Sequence, residues 1–195
     1  MEYLNFLLAY LIGSIPFGLI VTKALTGKNI TKEGSGNIGA TNVFRTVSKK
    51  TGTLVLILDA IKPIIVLIFI KNSQPTFYEE YYLVILFLSI IGHIYPVWLK
   101  FKGGKGVATL FGGFLFINPF WTLLSIITWF FIVKMTKLSS LGALISIFIL
   151  TIANFIFIDG AFNKTLVLLL MIIIYYKHKE NIKRLFNRNE NKIDF

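Results

Sequence analysis

The chain has 195 residues, of which 55% are hydrophobic and only 15% charged, with 19 Phe and a mean hydropathy of +0.75. Soluble domains are roughly 45–50% apolar and about a quarter charged, so a soluble enzyme, a disordered chain and a secreted disulfide scaffold are excluded. The absence of cysteine removes thiol catalysis, Cys-based zinc sites and disulfides together. A formal net charge of +11 in so apolar a chain points to basic loops facing an anionic membrane surface, and no nucleic-acid partner is expected.

In chain order, the start lacks a positively charged n-region, so no removable signal peptide is expected. A spanning helix needs about 20 apolar residues, and about 17 at the least. Segments 3–25, 53–70, 81–99 and 141–157 meet that length. The run 107–133 reads either as one long span or as two short ones broken at Asn118-Pro119, a pair that disfavours helix continuation. The run 166–176 is short, but a helix can continue through Lys177.

Charge counting decides between these readings. With 107–133 split, the chain crosses seven times, and 17 Lys and Arg fall on the cytoplasmic side against two, Lys71 and Lys164, outside. A single span there spreads the cations almost evenly. The positive-inside rule favours the split. The expectation is an all-α integral membrane protein of seven transmembrane helices, N-terminus outside and C-terminus cytoplasmic. No internal repeat or linker divides it, so residues 1–195 read as a single membrane domain.

Under this topology the polar, glycine-rich sequence gathers in three cytoplasmic patches, each beside a helix end: 34–45 (GSGNIGATNVFR), 92–109 and 178–190. Gly34, Gly36 and Gly39 have G-x-G-x-x-G spacing. A membrane helix precedes them, where a dinucleotide fold needs a strand, so that reading is rejected. Their expected use is to let backbone N–H groups converge on an anion, with Ser35 and Asn37 as short donors. If the chain is helical from Ala40, Thr41 and Arg45 share a face with Asn42 nearby, and the arginine fork suits a phosphate.

The second patch sets Lys100, Lys102 and Lys105 around Gly103, Gly104 and Gly106. It is no Walker loop, because Gly106 follows Gly104-Lys105 where Ser or Thr is required. It still offers backbone donors and point charges to phosphate oxygens. His93, within an apolar run, reads equally as functional or as a hydrogen-bonded structural residue. In the third patch, His178, Asn181, Ile182 and Leu185 share one helical face, with Glu180 and Lys183 turned away. Asp59 and Lys62, at i, i+3 inside the second span, read as a structural ion pair, and Pro63 is expected to kink that helix.

These patches, with GSIPFG at 13–18, LDAIK at 58–62, GGKG at 103–106 and H-x-x-N-I at 178–182, resemble the bacterial acyl-phosphate:glycerol-3-phosphate acyltransferase family over nearly the whole chain. Two departures stand out: Pro63 where the family usually has glycine, and Arg188-Asn189 where it usually has Gly-Thr. The resemblance implies transfer of an acyl group from a long-chain acyl phosphate to the sn-1 hydroxyl of glycerol 3-phosphate, giving 1-acyl-sn-glycerol 3-phosphate in the cytoplasmic membrane of a bacterium. It implies catalytic roles for Ser35, Lys105, His178 and Asn181. Substrate contacts would come from Gly34, Gly36, Asn37, Gly39, Thr41, Asn42, Arg45, His93, Lys102, Gly103, Gly104 and Glu190. No metal and no cofactor are expected; the partners are the two substrates and membrane lipids.

The residues agree with this in chemistry. There is no cysteine and no G-x-S-x-G serine, and Trp98 and Lys183 stand five residues after His93 and His178, so the His-x-x-x-x-Asp pair of thioester-dependent acyltransferases is absent. An acyl phosphate is already activated, and direct attack by the glycerol hydroxyl needs no acyl-enzyme. His178, a substrate phosphate oxygen and then His93 are the candidate proton acceptors. A phosphate-selective transporter would use the same loops and the Asp59–Lys62 pair for passage. The gathering of polar residues at one face, not at the midplane, weighs against it.

Overall fold

The computed structural model describes residues 2–193, all of whose regular elements are helices. It divides into two compact units, Met1–Phe116 and Ile117–Phe195.

The first unit opens with helix α1 (Glu2–Gly13) and helix α2 (Phe17–Thr26). The span expected over 3–25 is one run of membrane length, Tyr3–Thr26, made of two helices interrupted at 14–16. Pro16 has no N–H to continue the ladder and disfavours a helical conformation at Ile15. A loop with one 3₁₀ turn leads to the short helix α3 (Ala40–Thr46), followed by α4 (Lys49–Ser73), α5 (Pro75–Ile94) and α6 (Val107–Ile117). Ser48 caps α4 by accepting from the Thr51 N–H at 3.0 Å, and Pro75 starts α5 where a missing N–H costs nothing. Helix α4 is assigned without interruption through Pro63.

Glycines let these helices approach to backbone contact. A Cβ on Gly13 would overlap the Ser89 carbonyl, one on Gly92 the Tyr10 carbonyl, and one on Gly112 the Ala60 carbonyl. Small residues serve this purpose in membrane helices, where apolar burial gives no drive to association. Polar side chains add ties across the same contacts: Ser89 Oγ donates to the Ala9 carbonyl at 3.2 Å and the Tyr10 hydroxyl to the Tyr95 carbonyl at 2.8 Å. Beneath α2 and α3, Val21, Ile30, Ile38, Val43 and Val55 form a small apolar core.

The second unit holds α7 (Pro119–Thr136), α8 (Ser139–Phe157), α9 (Ala161–Lys177) and α10 (Lys179–Phe186). The break at Asn118-Pro119 falls where the sequence places it, with Pro119 opening α7. Asn118 Nδ2 donates to Asn154 Oδ1 at 3.3 Å, and Trp121 stacks on Phe157 at 5.0 Å, tying the start of α7 to the end of α8. Lys137 makes the α7–α8 turn in the left-handed region (φ 59°). The tail returns to that turn, the Ile193 N–H donating to the Lys137 carbonyl at 2.8 Å.

Five helical runs among the described residues are long and apolar enough to cross a membrane: Tyr3–Thr26, Lys49–Ser73, Pro75–Leu99, Pro119–Thr136 and Ser139–Phe157. Helices α9 and α10 qualify as a sixth when taken together, bent by 60° at their junction. Helix α6 is apolar but has only 11 residues, about half the length of a ~30 Å hydrocarbon core at 1.5 Å per residue.

The contact of Gly112 with α4 generates a test. In an open helix Gly→Ala gains roughly 1 kcal/mol, but here the new Cβ would press on backbone, and overpacking costs about 1–3 kcal/mol. Gly112→Ala therefore lowers the unfolding temperature in detergent. An unchanged or raised value would mean that α6 and α4 are not in backbone contact.

Candidate functional site

The first patch is organised by one side chain. Asn42, buried in α3, donates through Nδ2 to the carbonyls of Glu33 (3.0 Å) and Asn37 (2.8 Å), while its Oδ1 accepts from the Ser35 N–H (3.0 Å). Its amide holds the glycine loop in shape. The loop closes further on itself: the Gly39 N–H donates to Asn37 Oδ1 at 2.8 Å and the Gly36 N–H to the Glu33 carbonyl at 2.9 Å. Gly34 and Gly36 take positive φ values of 54° and 70°, which a side chain would strain. The N–H groups of Ser35, Gly36 and Gly39 are engaged within the loop, which narrows the expectation that they converge on an anion. What the loop presents is side chains: Ser35 is exposed, and Thr41 and Arg45 are half-buried one helical turn apart on α3.

The second patch is laid against the end of α5. Gly103 and Gly104 donate their N–H groups to the carbonyls of Ile94 and His93, each at 3.1 Å. A Cβ on Gly104 would overlap the His93 ring, and one on Gly103 the His93 carbonyl. These glycines too act by close approach and not as displayed donors. Lys102 is exposed and Lys105 half-buried on either side of the pair.

His93 itself is 4% exposed and belongs to a buried cluster. Its Nδ1 lies 2.9 Å from Lys62 Nζ and 3.5 Å from Asp59 Oδ1. Lys62 and Asp59 are ion-paired at 2.9 Å, each residue 2% exposed. Lys62 Nζ also donates to the Ile15 carbonyl at 3.1 Å, at the break between α1 and α2, and sits 5.7 Å from the Phe17 ring. One residue further, Gly18 packs so closely on the Ile38 carbonyl that a Cβ would overlap it. Segments 13–18, 34–45, 59–62, 93 and 103–104 therefore form one connected structure within the first unit. The pairing of Asp59 with Lys62 was legible at i, i+3 spacing. Their contacts with His93 and Ile15 were not, although a proline after a helical run signals a carbonyl in want of a donor.

In the second unit, His178 stands at the bend between α9 and α10 and is 3% exposed. Its Nδ1 lies 2.8 Å from the Ile174 carbonyl. A carbonyl only accepts, so Nδ1 carries a proton, and in the neutral ring Nε2 is the basic nitrogen. Asn181, one turn on, is buried and donates to Glu190 Oε1 at 2.7 Å. Arg184 Nε donates to Glu190 Oε2 at 2.8 Å. Glu190 thus anchors the tail to α10 through both oxygens. The helix ends in a Schellman turn, Asn189 N–H to the Arg184 carbonyl at 2.8 Å and Arg188 N–H to the Leu185 carbonyl at 3.1 Å, with Arg188 at φ 55°. Among the described residues no group of three His, Cys, Asp or Glu side chains is placed to hold a metal ion.

Arg188 occupies a left-handed position that costs an L residue roughly 1–2 kcal/mol. Arg188→Gly relieves this, less glycine's added chain entropy of about 0.5–1 kcal/mol. The variant should unfold at a slightly higher temperature; a lower one would show that the arginine side chain stabilises the turn.

Comparison with known proteins bears on what this arrangement does. A family model described as glycerol-3-phosphate acyltransferase matches residues 3–188. The chain is 41% identical over 193 residues to a glycerol-3-phosphate acyltransferase of Pelagibacter ubique (strain HTCC1062), covering 98% of each chain. It is 44% identical over 187 residues to one of Ehrlichia canis (strain Jake), covering 95% of each. Two solved structures of PlsY (YgiH), an integral membrane glycerol 3-phosphate acyltransferase, are similar in fold. The glycerol 3-phosphate form has a TM-score of 0.88 at 33% identity, covering 99% of this chain and 96% of that one. The lysophosphatidic acid form has a TM-score of 0.85 at 32% identity, covering 99% and 95%.

Proposed function

This chain belongs to the glycerol-3-phosphate acyltransferase family, and we propose that it transfers a fatty acyl group from acyl phosphate to the sn-1 hydroxyl of glycerol 3-phosphate. The hydroxyl oxygen attacks the acyl carbonyl carbon, the bond from that carbon to the phosphate oxygen breaks, and inorganic phosphate leaves with 1-acyl-sn-glycerol 3-phosphate as product. The observation that carries this reading is the pair of glycine-braced loops bearing Arg45 and Lys105 within one unit, matched to two substrates that each carry a phosphate. Similarity to structures described as the glycerol 3-phosphate and lysophosphatidic acid forms of such an enzyme supports acceptor and product.

On this reading Arg45, Lys102 and Lys105 neutralise phosphate charge, while Ser35 and Thr41 donate hydroxyl hydrogen bonds. Asn42 and His93 brace the loops. In the neutral ring, whose Nδ1 proton faces the Ile174 carbonyl, His178 Nε2 takes the hydroxyl proton, directly or by way of a substrate phosphate oxygen. Asn181 orients substrate beside it, and Glu190 holds Asn181 in place. Residues 1–195 act as a single acyltransferase domain. The chain crosses a bacterial cytoplasmic membrane seven times with α6 as the short crossing, its N-terminus outside and the reaction on the cytoplasmic side, as the 17-to-2 partition of cations supports.

Two experiments test the reading. Arg45→Ala and Lys105→Ala each remove a charge-assisted contact of roughly 1.5–3 kcal/mol, about 10- to 150-fold in kcat/KM, with normal membrane insertion. Near-normal kinetics in both would return these loops to lipid-headgroup contact. Purified protein should also turn over acyl phosphate and discriminate against acyl-CoA by about 10⁴, since a thioester leaves one set of phosphate donors unpaired at the reacting carbonyl. Comparable turnover with both donors would refute the two-phosphate mechanism.

A further inference from the structure

We infer that Lys62 is a positioning residue for this acyl transfer, setting the His93 tautomer and through it the seat of the glycine–lysine loop; this rests on the function proposed above. Two facts carry it. Lys62 Nζ touches three segments far apart in sequence: Asp59 on its own helix, the Ile15 carbonyl at the α1–α2 break and His93 Nδ1 on α5. The His93 ring and carbonyl are in turn the surfaces on which Gly104 and Gly103 rest.

An ammonium has only hydrogens to offer, so at 2.9 Å His93 Nδ1 accepts from it and the ring proton sits on Nε2; Asp59 Oδ1, at 3.5 Å from the same nitrogen, is the longer and weaker contact. That nitrogen is the part of the ring nearest Gly104. The opposite tautomer would set an N–H against the ammonium and drive the ring, or the ammonium, out of place. Because the Gly104 backbone lies flush on the imidazole, a displaced ring displaces the backbone that carries Lys105. The chain of contact runs from Lys62 to His93 to Gly104, and Lys105 is the next residue. A misplacement of about 1 Å at a reacting group can cost 100-fold in rate. Lys62 therefore affects turnover without reaching a substrate. His178 holds the opposite tautomer, protonated on Nδ1 by its contact with Ile174. The two imidazoles of the chain are thus distinguishable by which nitrogen carries the proton.

A purely structural ion pair makes a different prediction. Removing one charge leaves its partner buried and destabilises, but removing both is often neutral or stabilising. The discriminating variant is the double substitution Asp59→Asn with Lys62→Met, studied as full-length protein in lipid nanodiscs with ¹⁵N-labelled histidine. With only two histidines in the chain, imidazole nitrogen spectra assign each tautomer. In the wild-type protein, His93 should be protonated on Nε2 and His178 on Nδ1. In the double variant, the unfolding temperature should hold, since the Ile15 carbonyl keeps the Phe17 N–H as its donor, and the His178 signals should be unchanged. The His93 signals should lose their Nε2–H character, and kcat/KM should fall by about 100-fold. Wild-type kcat/KM in the double variant, or a His93 tautomer that survives the loss of Lys62, would overturn the inference. If the wild-type protein shows no turnover with acyl phosphate and glycerol 3-phosphate, the functional reading fails. The tautomer comparison still decides whether the Asp59–Lys62 pair governs His93, and the same spectra of Lys62→Met alone assign the effect to the ammonium.

Discussion

Within a bilayer, a carbonyl released by a broken helix must find its donors inside the protein, and at the first break in this chain the Phe17 N–H, at 3.1 Å, is joined by an ammonium. Pro16 ends α1, and Lys62 from α4 takes the Ile15 carbonyl at 3.1 Å. A buried lysine is itself expensive unless paired. It is paired with Asp59 three residues earlier on the same helix, so the two charges arrive together. The break, the charge pair and His93 solve one another's problems: the carbonyl needs a donor, the ammonium needs acceptors, and the imidazole needs a partner that sets its tautomer. The rest of the first unit's polar structure is built outward from this knot.

The glycines around it have a common use. In 34–39 and in 103–104, N–H groups that an isolated motif reading would aim at a phosphate are bonded to the protein's own carbonyls and to Asn37 and Asn42 side chains. Lack of a Cβ lets backbone lie against backbone at Gly18 and Gly103 and against an imidazole at Gly104. Such loops are rigid, and rigidity is what an electrostatic catalyst requires, since donors already in place pay no reorganisation when charge develops. On the function proposed here, the anion-facing chemistry falls to side chains on a braced frame, Arg45 on α3 and Lys105 beside the glycine pair.

Sequence made much of this legible because its strongest signals are physical and local. Apolar runs of bilayer length located α4, α5 and α8, although α4 extends from Lys49 to Ser73 and α9 begins at Ala161, beyond the apolar stretches that announced them. There polar residues join the helix: Lys164, for instance, lies over the Phe155 ring at 5.4 Å while belonging to α9. Asn118-Pro119 marks the α7 boundary for the same reason that Pro16 separates α1 from α2, yet Pro16, embedded in an apolar run, carries no polar neighbour to announce the interruption. Pro63 was expected to kink α4 and lies within a helix assigned without interruption. The face of α10 was correct, with Asn181 buried and Glu180 and Lys183 exposed. What spacing does not contain is long-range contact. Nothing local says that Lys62 meets Ile15, 47 residues away, or His93, 31 residues away.

The end of α9 shows how a backbone feature becomes chemistry. The Ile174 carbonyl accepts from the backbone N–H of His178 at 3.1 Å and lies 2.8 Å from the Nδ1 of the same residue. The Tyr175 carbonyl shares that N–H at 2.9 Å, so the Ile174 carbonyl both helps to close the helix and orients the imidazole. The ring can turn only if the helix end moves with it, so the direction of Nε2 is tied to the 60° bend between α9 and α10. Asn181, on the next turn, is tied to the same geometry from the other side by Glu190, whose second oxygen is held by Arg184. An imidazole whose tautomer is set by a carbonyl needs no carboxylate partner to be a base. On the function proposed here, His178 would therefore act without the aspartate that the His-x-x-x-x-Asp arrangement supplies, its ring held by the way this helix ends.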